Sequence, residues 1–212
     1  MAGRKIPCVI AGVAWALIAP ALCRGDAVTA LEIYAAAETG NSAAYSGTAA
    51  QRVKAVRIRK QTVSEKALRK SARKIAYEYG IPPRLYEALV QFESGFNPVC
   101  RGGSGEYGLA QVMPETGRWL VTRGQIKSNW WQDPIENLRA GAVHLKNLKD
   151  SLTRNEIEYA RRMRYKTWGL LLAQYNGGKG RVGQAVRSGG RLPPRLEWYI
   201  RRVAAIYDKL DG

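Results

Sequence analysis

The segment Gln91-Phe92-Glu93-Ser94-Gly95 sets a carboxylate at the end of an apolar run patterned like a helix. Leu85, Leu89, Val90 and Phe92 recur at helical spacing, Pro83 suits a first-turn position and Gly95 suits a stop. Glu93 therefore falls in the last turn, where the negative end of the helix dipole and burial beside Phe92 both disfavour its anion. A carboxylic acid still protonated near neutral pH can donate a proton. An isolated glutamate at a helix end is more often a solvated charge, so the chemistry of Glu93 depends on its company.

Three further segments are hard to explain as packing alone. Gly108-Leu109-Ala110-Gln111-Val112-Met113-Pro114 sets an amide among apolar residues, next to a loop holding Gly102, Gly103 and Gly105. Ala173-Gln174-Tyr175-Asn176-Gly177-Gly178 ends an apolar helix in a Tyr-Asn pair and a turn, and Glu197-Trp198-Tyr199-Ile200 opens the last helix. One acid beside amides, hydroxyls and aromatic faces is the equipment of a groove for a polar, uncharged polymer.

The elements that must position these residues read as helices almost throughout. Ser64 caps a helix to Tyr79 with Leu68, Ile75, Ala76 and Tyr79 inward, and Gly80 stops it. Pro82 and Pro83 start the helix that carries Glu93, and Pro114 opens a short helix through Leu120 despite Gly117. Asp133, Pro134 and Glu136 supply a cap, a first-turn proline and a capping-box partner for a helix through Leu152. A charged stretch from Thr153 to Lys166 precedes an apolar helix from Trp168 to Tyr175, which Gly177, Gly178 and Gly180 break. A final helix runs from Pro194 to Leu210. Trp130-Trp131, ahead of the capped helix, suits a sugar-stacking platform and a hydrophobic staple equally.

The 212 residues have room for one domain with a sizeable core plus an extension. Arg4 and Lys5, the apolar run from Ile6 to Leu22, and Arg24 outline a secretory signal peptide at 1–25, with an uncleaved anchor or a lipoprotein at Cys23 as weaker alternatives. Residues 26–62 are rich in small residues and end in a basic run, Arg52 to Lys60, that reads as a linker or loosely ordered arm; the catalytic domain is expected at 63–212. The chain is then exported to the periplasm or cell envelope. Cys8 and Cys23 lie in or beside the leader, so Cys100 is expected alone, as a bystander thiol with no intrachain disulfide. His144, the sole histidine, offers no metal-ligand pattern, and neither a metal nor a cofactor is expected.

The net charge is +17, and removal of residues 1–25 takes away Arg4, Lys5 and Arg24 with no acid, leaving +14. Such a field favours anionic envelope surfaces as partners of the basic arm. Nucleic acid is disfavoured, because no zinc-finger spacing or stacking-aromatic signature accompanies the charge.

From Ser64 to Tyr207 the chain resembles the soluble lytic transglycosylases, which share the goose-type lysozyme-like fold. The resemblance is carried, in order, by Glu93-Ser94 followed by Gly95-Phe96-Asn97-Pro98, by the Gly-Leu-Ala-Gln-Val-Met-Pro stretch, by the Tyr-Asn-Gly-Gly turn, and by Glu197 and Tyr199. It implies an all-α, mainly helical catalytic domain in which Glu93 is the acid/base and Ser94 helps position substrate. Gln111 and Met113 would line the saccharide groove, Tyr175 would sit near the reacting sugar, and Asn176 would fix the turn or contact substrate. Glu197, capping or bonding to the Tyr-Asn turn, and Tyr199, which also fits a helix face, stand as supporting candidates. Gln174 departs from the small residue usual there, Gly177 stands for an alanine, and Val99 to Gly103 form an insert peculiar to this loop.

Two-carboxylate glycosidases need a second acid across the scissile bond. Glu106 and Glu115 are nearest in sequence, and neither matches a catalytic position of the family. The resemblance thus implies a peptidoglycan lytic transglycosylase that cleaves the MurNAc-β-1,4-GlcNAc bond and leaves 1,6-anhydro-MurNAc ends. The rival readings are a lysozyme-type muramidase with Glu106 as base, and a non-catalytic peptidoglycan-binding component of an envelope complex. General wall remodelling and local opening for secretion or conjugation machinery both stay open.

Overall fold

The computed structural model describes residues 63–210; the expected leader at 1–25 and arm at 26–62 lie outside them. Among the described residues seven helices follow one another and no strand forms. The first, α1 (Glu65–Glu78), buries Leu68, Ala72, Ile75 and Ala76, one stripe at helical spacing. Gly80 turns the chain at φ +63° into α2 (Pro83–Ser94), which begins on a proline and ends on Gly95 in the left-handed conformation, as the sequence indicates.

Helices α1 and α2 are locked by a buried carboxylate. Glu87 is 2% exposed and takes Arg69 Nη1 at 2.9 Å on one oxygen and Arg73 on the other. Two guanidinia compensate a charge that would otherwise be costly in this interior.

Residues 95–113 form a loop braced by isolated bridges of Tyr107 to Arg101 and to Val112. It leads into α3 (Pro114–Thr122), where Gly117 has a packing reason: a Cβ there would lie 2.1 Å from the Trp130 ring. Trp130 is buried, as a core contact is, and Trp131 is exposed. In α4 (Pro134–Asp150), Asp133 caps as expected, accepting from the N–H groups of Ile135 and Glu136. Glu136 closes no capping box, because its carboxylate turns to Lys127 N–H and Arg139 instead.

The charged stretch after Leu152 contains a further helix, α5 (Arg154–Arg162), with a complete capping box of Thr153 and Glu156. The break expected after Tyr175 is a kink: α6 (Thr167–Ser188) bends at Gly178, φ +78°, and resumes. Helix α7 (Pro194–Lys209) closes the described chain. The main core gathers α1, α2, α4, α6 and α7 around Tyr86, Leu89, Leu138, Leu145, Leu171 and Tyr199. This places the end of α2, at Ser94, and the Tyr175 turn of α6 beside the 95–113 loop. No helix among the described residues is long and apolar enough to cross a membrane.

Candidate active site

Glu93 sits one residue before the end of α2, half-buried, and one carboxylate oxygen accepts a hydrogen bond from the Tyr199 hydroxyl on α7. Burial pushes the Glu93 carboxyl up to about 7, against the downward pull of the Tyr199 bond, and the charge of Glu106 adds to the rise. Tyr199 is itself buried and its ring meets Phe92 edge-on at 5.0 Å. Its hydroxyl is held well above the usual phenol range, by burial first and then by the neighbouring carboxylate. Tyr199 thus lies on a buried helix face, and its ring carries the hydroxyl to the acid.

Ser94 is buried, and its hydroxyl donates to Leu109 O at 2.8 Å. It pins the loop to the end of α2, acting on the groove through the backbone. Gln111, at φ +46°, uses its amide N–H groups on Gly108 O (2.8 Å) and Cys100 O (3.3 Å). Its carbonyl faces Gly102, where an added Cβ would lie 2.7 Å from Gln111 Oε1 and 2.1 Å from Glu106 Oε2. Glu106 is half-buried, and the N–H of Ser104 donates to it at 3.0 Å.

Tyr175 reaches across from α6 and donates to Ala110 O at 2.7 Å. This is possible because α4 has a glycine at the crossing. A Cβ on Gly141 would lie 2.5 Å from Ala110 Cβ, 2.6 Å from the Tyr86 hydroxyl and 3.0 Å from the Tyr175 hydroxyl. Asn176 is half-buried just ahead of the Gly178 kink and makes no side-chain hydrogen bond among the described residues. Met113 precedes α3 and, with Gln111, Val112, Thr116, His144 and Tyr175, lines a small cleft. His144 is a groove residue that the sequence did not signal, since nothing in its spacing ties it to the Gln111 or Tyr175 segments.

Glu197 corrects an expectation. Its carboxylate accepts from the Tyr165 hydroxyl at 2.5 Å and from Arg191 Nε at 3.0 Å, and the Tyr-Asn turn is not its partner. Those two bonds, Tyr165 first, lower its pKa, as befits a structural carboxylate. The turn is held otherwise: Gly177 lies against Leu196, where a Cβ would come within 2.7 Å, so an alanine does not fit without a shift. Gln174 is buried and donates to Glu156 at 2.7 Å, tying α6 to the capping box of α5. Cys100 is buried, and the expectation that it has no intrachain disulfide turns on Cys8 and Cys23, which lie outside the described residues. No cluster of potential metal ligands occurs among the described residues.

A half-buried acid between α2 and α7, neighboured by Glu106 and by a tyrosine from a kinked helix, defines a helical, lysozyme-like groove protein. The chain belongs to the transglycosylase SLT domain family, whose model matches residues 70–196. It is 34% identical over 115 residues to a membrane-bound lytic murein transglycosylase C of Yersinia enterocolitica, covering 52% of this chain and 31% of that protein. The corresponding protein of Actinobacillus pleuropneumoniae serotype 5b is 33% identical over 115 residues, 52% of this chain and 30% of its own. The chain thus spans about a third of the length of the curated relatives it matches. A solved structure of an inactive mutant of lytic transglycosylase Slt from Pseudomonas aeruginosa shares the fold, with a TM-score of 0.52 at 22% identity over 68% of this chain and 24% of that one.

Proposed function

We propose that the chain is a peptidoglycan lytic transglycosylase with Glu93 as its acid and base. The reading rests on Glu93, a carboxyl protonated near neutral pH and held by Tyr199 at the mouth of a groove built from the family's own motifs. Glu93 gives its proton to the glycosidic oxygen between N-acetylmuramic acid and N-acetylglucosamine, and that bond breaks. The muramoyl acetamido carbonyl stabilises the positive centre at C1. The Glu93 carboxylate, steadied by the Tyr199 hydroxyl, then takes the proton of the C6 hydroxyl as O6 closes onto C1. The acid is regenerated and no water is consumed. Gln111, Met113, Tyr175 and Asn176 hold the strand, and Ser94 acts through the Leu109 carbonyl it anchors. The relatives named as membrane-bound murein enzymes support an exported protein acting in the cell envelope, and the basic run Arg52 to Lys60 suits anionic surfaces there.

Glu106 favours one alternative, because its charge reaches Glu93 and a second carboxylate could activate water for hydrolysis. Mass spectrometry of digested sacculi separates the two. Anhydro-ended muropeptides support transglycosylation, and reducing ends alone support the muramidase reading.

A further inference from the structure

A second cleft opens between α5 and the far end of α6. It encloses about 630 Å³ and is lined by Asn155, Glu158, Tyr159 and Arg162 of α5 and by Val186 and Arg187 of α6, none of which lines the space beside Gln111 and Tyr175. A space of this size holds a small ligand or a short peptide. The four α5 residues share one face because they recur at helical spacing. Their floor is fixed: Tyr159 is buried in a smaller core with Val182, Ala185, Leu192 and Leu196, and its hydroxyl donates to Gly190 O at 2.8 Å. The Arg162 guanidinium lies 5.9 Å from the centre of that ring and donates to Gly189 O at 3.4 Å. Arg187 and Glu158 are exposed, and neither makes a side-chain hydrogen bond or ion pair among the described residues.

From Arg154 to Arg202 the acids are Glu156, Glu158 and Glu197, set among many more cations. Glu156 is buried in its capping box and Glu197 is held by Tyr165 and Arg191, which leaves Glu158 as the carboxylate of that stretch open to a ligand. Two guanidinia offer paired N–H donors to carboxylates. A uniformly anionic surface, such as a layer of lipid headgroups, is repelled by Glu158 and cannot follow the cleft down to Val186 and the Tyr159 ring. A short peptide with free carboxylates, one amino group and small apolar side chains matches every part of the lining. We infer that this cleft binds the peptide side chains carried by peptidoglycan: carboxylates on Arg162 and Arg187, the amino group of the diamino acid on Glu158, a backbone amide on Asn155, and alanine methyls against Val186 and Tyr159. The chain then grips a peptide-bearing strand through residues other than those that cleave it. The inference rests on peptidoglycan being the substrate, and its test needs no turnover.

The test is calorimetric titration of the full chain with N-acetyl-L-Ala-γ-D-Glu-diaminopimelate-D-Ala, with the same peptide acetylated also on its diaminopimelate amine, and with anionic phosphatidylglycerol vesicles. Arg162→Gln and Arg187→Gln are each expected to weaken the first peptide about fivefold, the scale of one solvent-screened ion pair. Glu158→Gln is expected to weaken the first peptide and to leave the fully acetylated one unchanged. No binding of the first peptide to the parent chain overturns the inference, and so does full affinity in Arg187→Gln, an exposed position whose change leaves the smaller core intact. Tighter peptide binding in Glu158→Gln, or a loss confined to the vesicles in the arginine variants, also overturns it and marks a general anionic-surface site. Absence of anhydro products from the parent protein would instead remove the proposed reaction and leave the peptide titration to be read on its own.

Discussion

A carboxyl kept protonated for chemistry should weaken the fold wherever it is forced to ionise, and Glu93→Gln exposes that cost. Burial lifts the Glu93 carboxyl from 4.5 to about 7 in the folded chain. Each pH unit between the two values is about 1.4 kcal/mol, so an ionised Glu93 would cost the native state about 3 kcal/mol above pH 7. Groove water reaches the half-buried carboxyl and screens part of this, so about half that figure is expected. The sign follows from linkage. A carboxyl raised by folding contributes its full stability below pH 4.5 and loses it as the pH climbs through about 7. The neutral amide of Glu93→Gln avoids the loss. The variant and the parent should therefore melt together near pH 4, and the variant should melt higher at pH 8.5, by about 3–6 °C for a domain of this size. Melting followed by circular dichroism at half-unit pH steps gives the full difference curve. A difference independent of pH, or a parent that gains on the variant as pH rises, would refute the account of Glu93 as a buried acid.

Tyr199→Phe removes the donor that favours the Glu93 anion, so the alkaline limb of the pH profile for anhydro-product release should move up by about one unit, with slower turnover. Gly141→Ala should cost about 1–3 kcal/mol in urea unfolding and most of the activity, because its methyl collides with Ala110 and with the hydroxyls of Tyr86 and Tyr175. A stabilised Gly141→Ala would refute the close crossing. Glu87→Ala takes the buried partner from Arg73 and one of several from Arg69, which keeps Glu65 and Gln91, and should destabilise by about 1 kcal/mol with little change in the pH profile. Tyr175→Phe leaves the Ala110 carbonyl without its donor and should lower both stability, by about 1 kcal/mol, and turnover.

The sequence by itself determined the helical class, the proline and glycine limits of α2, the Asp133 cap and the membership of Glu93 in a family motif. These are local matters: apolar spacing, φ restrictions and short-range caps act within a few residues, and a chain displays them directly. The α5 helix stayed hidden because its charge masked the apolar stripe, although its Thr153 and Glu156 stood at capping-box spacing. The Gly178 break was legible, but the return to helix after it was not. The partner of Glu93 was decided only by tertiary structure. Tyr199 lies 106 residues away and reaches the acid because α2 and α7 pack side by side. The same holds for His144, an unremarkable position within α4 until the 111–113 loop and α6 close around it. Glu197 shows the converse, since a motif placed it near the site and packing gave it to Tyr165 and Arg191. Spacing along the chain specifies which residues share a helix face. Which face meets which acid depends on how the described helices share the core, and on glycines such as Gly141 that let two of them approach closely enough for a tyrosine hydroxyl to cross.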